Sequence, residues 1–220
     1  MRRVDPSASA IARAIKRNSA STTTCSKRQR ASSRAGTRAL LAKLTDTCLD
    51  LWNDRDSGIW ELVALEHFTV SKISYWAACD CALELAHKCE IDASNAFRLE
   101  RDRERIADRI DANCWSPKQN AYTMHPETER FDATFLFATR FGAHRPERFV
   151  ATRDAIAKEL ARGPLVYRYS GMEREEGTFI ACGFWLADTY ALFGGVLRAR
   201  RANLGLYAEG ASCLRRRRSP

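Results

Sequence analysis

With 220 residues, 45% apolar and 29% charged, the chain has ordinary soluble composition and enough length for one sizeable core. It contains no uncharged apolar run of the roughly 18 residues that a membrane span needs; the longest candidate, residues 178–195, holds Asp188. The net charge of +9 is uneven: residues 1–44 carry eleven Lys or Arg against one acid, residues 198–220 seven Arg against one acid, and residues 45–197 are left at −7. An acidic body presents no nucleic-acid groove, so such binding is open only to the basic ends.

Residues 1–35 are rich in Arg, Ser, Thr and Ala, show no sustained apolar period, and are expected to be a basic, disordered extension. From about residue 36 the pattern becomes helical. Residues 36–52 carry one stripe of Leu40, Leu41, Leu44, Cys48, Leu49 and Trp52, whereas residues 67–88 are apolar nearly all round. Residues 96–114 return to a single stripe of Leu99, Ile106 and Ile110. Residues 131–141 are rich in Phe, residues 147–162 are one-sided again, and residues 177–193 are apolar nearly all round.

A helix apolar on all sides must be covered on all sides, while a one-striped helix faces water. Their alternation predicts an all-α fold of inner and outer helices, an incomplete α/α toroid, although a helical solenoid has the same periodicity. Two joins, 89–95 and 142–146, are short, and three, 53–66, 115–130 and 163–176, are long. The long ones run from outer to inner helices and so share one end of such a ring, which predicts a functional face there.

Candidate chemistry falls on those loops. Glu61 follows Trp60 and Gly58. A carboxylate beside an indole suits general acid work on a sugar, and an exposed loop acid is the plain alternative. Arg168 and Tyr169 can hydrogen-bond and stack on a sugar, or form an ordinary loop pair. Glu175 and Glu176 read as acids at the N-terminus of the next helix. Glu209 can supply a second carboxylate, or stand exposed near the C-terminus. His67, His87, His125 and His144 lack metal-ligand spacing, and there is no Gly-rich phosphate loop. Asp80 and Asp188 lie in apolar helices and need partners. The eight Cys fit neither a zinc ribbon nor a redox pair; Cys79 and Cys81 read as small buried hydrophobes. Free thiols without a secretory segment point to the cytoplasm.

Several motifs, in order, resemble glycoside hydrolase family 15, the glucoamylase and trehalase-like enzymes. They are Asp56-Ser57-Gly58-Ile59-Trp60-Glu61-Leu62, His67-Phe68-Thr69-Val70-Ser71-Lys72, Glu100-Arg101-Asp102-Arg103, Phe131-Asp132-Ala133, Val166-Tyr167-Arg168-Tyr169, Glu176-Gly177-Thr178-Phe179 with Phe184-Trp185, and Gly205-Leu206-Tyr207-Ala208-Glu209. The resemblance implies an (α/α)6 barrel over residues 36–209 that cleaves α-glucosidic bonds with inversion and without a cofactor. It implies Glu61 as general acid, Glu209 as general base, and Trp60, Arg168 and Tyr169 as sugar contacts. Inversion wants the carboxyls roughly 6.5–9.5 Å apart, with room for water.

The chain departs from that pattern in having six or seven helices where the family barrel has twelve, and it lacks the N-terminal β-sandwich of bacterial relatives. It is expected to have only a short Arg-rich link between Gly195 and Asn203, and a basic non-homologous tail, 210–220, that looks like out-of-frame translation. Inner helices left partly bare predict self-association. Besides a glycosidase acting on an α-glucoside, the expectations include an inactive remnant and a protein that binds nucleic acid or surfaces through its basic ends.

Overall fold

The computed structural model describes residues 27–88, 95–142, 144–172 and 174–216. The extension expected over 1–35 therefore lies mostly outside the described residues, as does the end of the tail. Among the described residues there are seven α-helices, one 3-10 turn and four strands of two residues, the all-α class that the periodicity predicts. The chain divides into two compact units, with the boundary between Ala112 and Asn113.

The first unit holds α1 (Lys27–Leu51), α2 (Thr69–His87) and α3 (Ala96–Asn113). Helix α1 begins nine residues before the apolar stripe does. Its stripe meets α2 where buried Cys48 and Ala78 pack with Leu41, Leu44 and Tyr75, whereas Leu40 stays exposed. Small residues Ala77, Ala78, Cys79, Ala82 and Ala86 make the buried side of α2, which lets neighbouring backbone come close. On α3 the stripe of Leu99, Ile106 and Ile110 is fully buried, as its 3.6-residue spacing requires.

One acid shares that stripe. Asp102 is buried and meets Arg98, Arg101 and Arg105 at 3.6, 3.0 and 3.3 Å, so three guanidiniums offset its desolvation. Asp80 finds its partner in Arg103, at 2.9 Å.

In the second unit a hairpin pairs β1 (Trp115–Ser116) with β2 (Ala121–Tyr122), Trp115 opposite Tyr122. Tyr122 is the centre of an aromatic cluster, its ring 5.1 Å from Trp115, 5.7 Å from Phe135 and 5.9 Å from Phe149. The Phe-rich segment makes only a short helix, α4 (Thr134–Ala138), ending in a 3-10 turn over Thr139–Phe141. Helix α5 (Pro146–Leu160) starts with proline, whose missing N–H costs nothing at a first turn. A second hairpin pairs β3 (Ala161–Arg162) with β4 (Leu165–Val166) and leads towards α6 (Ile180–Leu192). Arg140 supplies the partner for Asp188.

The expected Arg-rich link after Gly195 is instead the start of a helix, α7 (Val196–Arg216). The reason is packing. Ala199 and Leu206 recur at helical spacing and are buried, at 6% and 1% exposure. Gly183 on α6 has no room for a side chain, since a Cβ would stand 2.6 Å from Leu206 and 2.5 Å from the Pro164 carbonyl. Gly205 on α7 likewise faces the Pro164 ring at 2.8 Å.

Cys48, Cys79, Cys81, Cys114 and Cys182 form no disulfide. Cys79 is buried as expected, but Cys81 is only half-buried. Burial pushes the Cys79 and Cys182 thiols up to about 12.

Two outcomes follow. Gly183→Ala should lower unfolding stability by about 2 kcal/mol through overpacking, read by urea denaturation. Alkylation at pH 8 followed by peptide mapping should leave Cys79 and Cys182 unmodified in the folded chain and modify both after denaturation.

Candidate active site

The first long loop, 53–66, is pinched shut by an antiparallel bridge in which Asp56 and Glu66 exchange backbone hydrogen bonds of 2.9 Å. Inside it a tight turn is closed by Leu62 N–H to the Ser57 carbonyl at 2.9 Å and Glu61 N–H to the Gly58 carbonyl at 3.3 Å. Gly58 sits at φ +64°, and a Cβ there would stand 3.1 Å from the buried Phe68 ring, so both backbone conformation and space favour glycine.

Asp56 organises this loop from below. Its Oδ1 accepts the Gly58 N–H at 2.8 Å and the Ser71 hydroxyl at 2.7 Å. Its Oδ2 lies 3.6 Å from the Lys72 ammonium, whose side chain is 1% exposed and donates to the Asp54 carbonyl at 2.6 Å. Burial holds the Lys72 ammonium below its usual pKa, although Asp56 opposes the shift.

At the outer side of the turn, Trp60 is half-buried and Glu61 is exposed. Glu61 has φ +52°, in the left-handed region that costs a non-glycine residue about 1 kcal/mol and is kept only when the surroundings impose it. The turn thus presents the Glu61 carboxylate to solvent, next in sequence to a half-buried indole.

The second unit holds Arg168 and Tyr169. Their segment is zipped to residues 131–133. Ala133 N–H donates to the Arg168 carbonyl at 2.8 Å, Tyr169 bridges Asp132, and Ser170 N–H donates to the Phe131 carbonyl at 3.0 Å. The Ser170 hydroxyl accepts the Phe131 N–H at 2.7 Å, and the Arg130 Nε donates to the Ser170 carbonyl at 3.0 Å. Both Arg130 and Arg168 guanidiniums lie near the Tyr169 ring, 5.5 and 5.8 Å from its centroid. Asp132 is 6% exposed and accepts the Thr134 N–H at 2.8 Å, a local bond just before the next helix.

Glu176 hydrogen-bonds the Arg168 guanidinium. Helix α6 begins at Ile180 with no acid in its first turn, so the expectation that Glu175 and Glu176 complement its dipole is corrected: the apolar Phe179 takes the cap position. Glu209 is exposed on α7, in a helix held by Leu206 and by the Phe184–Tyr207 ring pair at 6.1 Å. The sequence-predicted residues thus occupy three places: Trp60 with Glu61, Arg168 with Tyr169, and Glu209 on the last helix.

Sequence reasoning missed the supports. Asp56 was legible as the start of an Asp-Ser-Gly turn, but its pairing with Ser71 and Lys72 spans fifteen residues or more. Asp132 and the Arg168–Glu176 pair carry no local signal. Among the described residues no group of three or more His, Cys, Asp or Glu is placed to hold a metal ion.

His67 borders the loop, and burial together with Lys72, Arg109 and Arg55 holds its pKa below 6.5. As pH falls through 6.5 the unfolded chain gains a proton that the folded chain refuses, so this contribution to stability is lost down to the lowered folded pKa. Urea denaturation at pH 7 and pH 5 should therefore show a smaller acid loss in His67→Asn than in the parent.

The profile of Glycosyl hydrolases family 15 matches residues 8–212. A trehalase of Mycolicibacterium smegmatis is 32% identical over 191 residues, covering 77% of this chain and 28% of that protein. A trehalase of Mycobacterium tuberculosis is 33% identical over 174 residues, 74% of this chain and 25% of that protein. Among solved structures, a wild-type glycosidase matches with TM-score 0.65 and 18% identity over 72% of this chain and 43% of that one. A glycosidase variant in complex with glucose gives the same values. The chain thus spans 28% and 25% of the length of the two trehalases. The solved structures are helical toroids, which agrees with the incomplete toroid read from the alternation of helices. A profile that runs through all the motifs from Asp56 to Glu209, with relatives above 30% identity over three quarters of the chain, shows that it belongs to glycosyl hydrolases family 15.

Proposed function

We propose that this chain is an inverting glycoside hydrolase acting on an α-glucoside, with residues 36–209 as its partial barrel and residues 1–35 and 210–220 as basic ends. The observation that carries the reading is Glu61: an exposed carboxylate beside Trp60, held at φ +52° by a hydrogen-bonded turn. Glu61 protonates the departing glycosidic oxygen. Glu209 takes a proton from the attacking water on the opposite face of the sugar, so that the anomeric configuration inverts. Trp60 stacks on the ring, and Arg168 and Tyr169 bind its hydroxyls. The pairing of Arg168 with Glu176 supports its role, because a guanidinium already held at one edge presents its remaining donors in a fixed plane. No metal or organic cofactor enters the reading, and neither nucleic acid nor membrane is a partner.

Trehalose is the first substrate to test, since the two trehalases carry that activity in their names. The free thiols support a cytoplasmic location. Phe179, Ile180 and Leu192 around α6, and Val196, Leu197 and Leu204 on α7, are exposed by 44–75%, which supports self-association through apolar helix faces.

Glucose release from trehalose, maltose and maltooligosaccharides by the purified chain should be detectable and should fall at least about 100-fold in Glu61→Gln and in Glu209→Gln. Soluble, helical parent protein without turnover would overturn the catalytic reading. Sedimentation should show a species larger than the monomer, which Leu197→Asp with Leu204→Asp shifts towards monomer.

A further inference from the structure

We propose that Asp56 is the positioning residue of the acid-bearing turn, and that its buried pairing with Lys72 holds Trp60 and Glu61 in their working geometry. This rests on the reading of Glu61 as general acid.

Ile59, Val63 and Leu65 are 50%, 101% and 55% exposed and Glu61 is exposed as well, with only Trp60 and Leu62 half-buried, so apolar packing holds residues 59–65 only in part. Glu61 moreover stands in a backbone conformation that an unconstrained Glu leaves. Something other than side-chain burial must hold it.

The hydrogen bonds that do so converge on one carboxylate. Asp56 Oδ1 binds the Gly58 N–H at the start of the turn and the Ser71 hydroxyl on the first turn of α2, tying a mobile kind of segment to a rigid one. The Asp56 backbone closes the loop through Glu66. Its Oδ2 faces the buried Lys72 ammonium, itself held by the Asp54 carbonyl on the other side of Asp56. Removing the Asp56 carboxylate leaves a cation in the core with only the Asp54 carbonyl and the face of the Tyr75 ring, 5.7 Å away, and no counter-charge of its own, which favours opening of segment 54–58 to hydrate it. Because the carboxylate points down into the helix while Glu61 points outward, Asp56 acts on the reaction only through the position of Glu61. A misplacement of the order of 1 Å at a proton donor costs about 100-fold in rate.

The test compares Asp56→Ala and Asp56→Asn in the full chain by two readouts. Asn keeps an acceptor for Gly58 and Ser71 but lacks the charge. In hydrogen-exchange mass spectrometry, peptides over 53–66 should lose at least about 10-fold of their protection in Asp56→Ala, and less in Asp56→Asn, while peptides over 73–87 keep theirs. In glucose release, kcat should fall about 100-fold in Asp56→Ala with KM within about threefold of the parent, and Asp56→Asn should recover part of it. Unchanged exchange over 53–66, loss of protection throughout the first unit in Asp56→Asn, or a raised KM with kcat intact would each overturn the proposal. Should Asp56→Ala not fold, Ser71→Ala takes its place in both readouts. A parent that releases no glucose refutes the catalytic reading, and the exchange comparison then decides by itself whether Asp56 holds the turn.

Discussion

An apolar helix with no polar side draws other parts of the chain over it, and this constraint shapes both units, although α6 is covered along its middle and bare at its ends, at Ile180 and Leu192. Helices α2 and α6 are the ones concerned. Cover at close range demands small side chains where backbones approach, and these are found at Ala77, Ala78 and Ala82 on α2 and at Gly183 on α6. The covering helices then need only one apolar stripe each, which is why α3 and α5 are charged elsewhere and why their sequences are easy to read.

Covered helices leave the joins between them to solvent, and that is where the residues with chemistry lie. An exposed loop is a poor platform for a reacting group unless it is tied to the scaffold. In both units the ties are polar groups drawn into the interior at the foot of the loop. Asp56 with Ser71 and Lys72 serves the first long loop. Ser170 and Asp132, with the backbone of residues 131–133, serve the third. Each tie offers hydrogen bonds at the loop base, and the Asp56 Oδ2 that accepts none is faced by the Lys72 ammonium at 3.6 Å, so much of the cost of burying these groups is offset where rigidity is needed. Glu61, which faces outward, makes no such demand and remains accessible.

The two kinds of residue were not equally visible in advance. Glu61, Trp60, Arg168 and Tyr169 were picked out because their chemistry and neighbours form local motifs. Lys72 looked like the last letter of one such motif, yet it is among the most buried side chains of the unit. Nothing near it in sequence says so, because its charge is matched by a residue sixteen positions earlier. Glu176 was misjudged for a related reason. Its position suggested a helix start, but the helix begins at Ile180, and the strongest claim on its carboxylate comes from Arg168, eight residues away across a loop.

By itself the sequence determined the helical class, the apolar stripe of α3, and the motifs that mark the family. All of these follow from apolar periodicity or from contiguous residues, which are local properties of the chain. Only the tertiary structure decided that residues 196–216 form a helix, where α6 ends its cover, and which buried carboxylate holds which loop. Those outcomes depend on packing and on charge pairs between residues distant in sequence, and the energy that selects them exists only once the chain has folded back on itself.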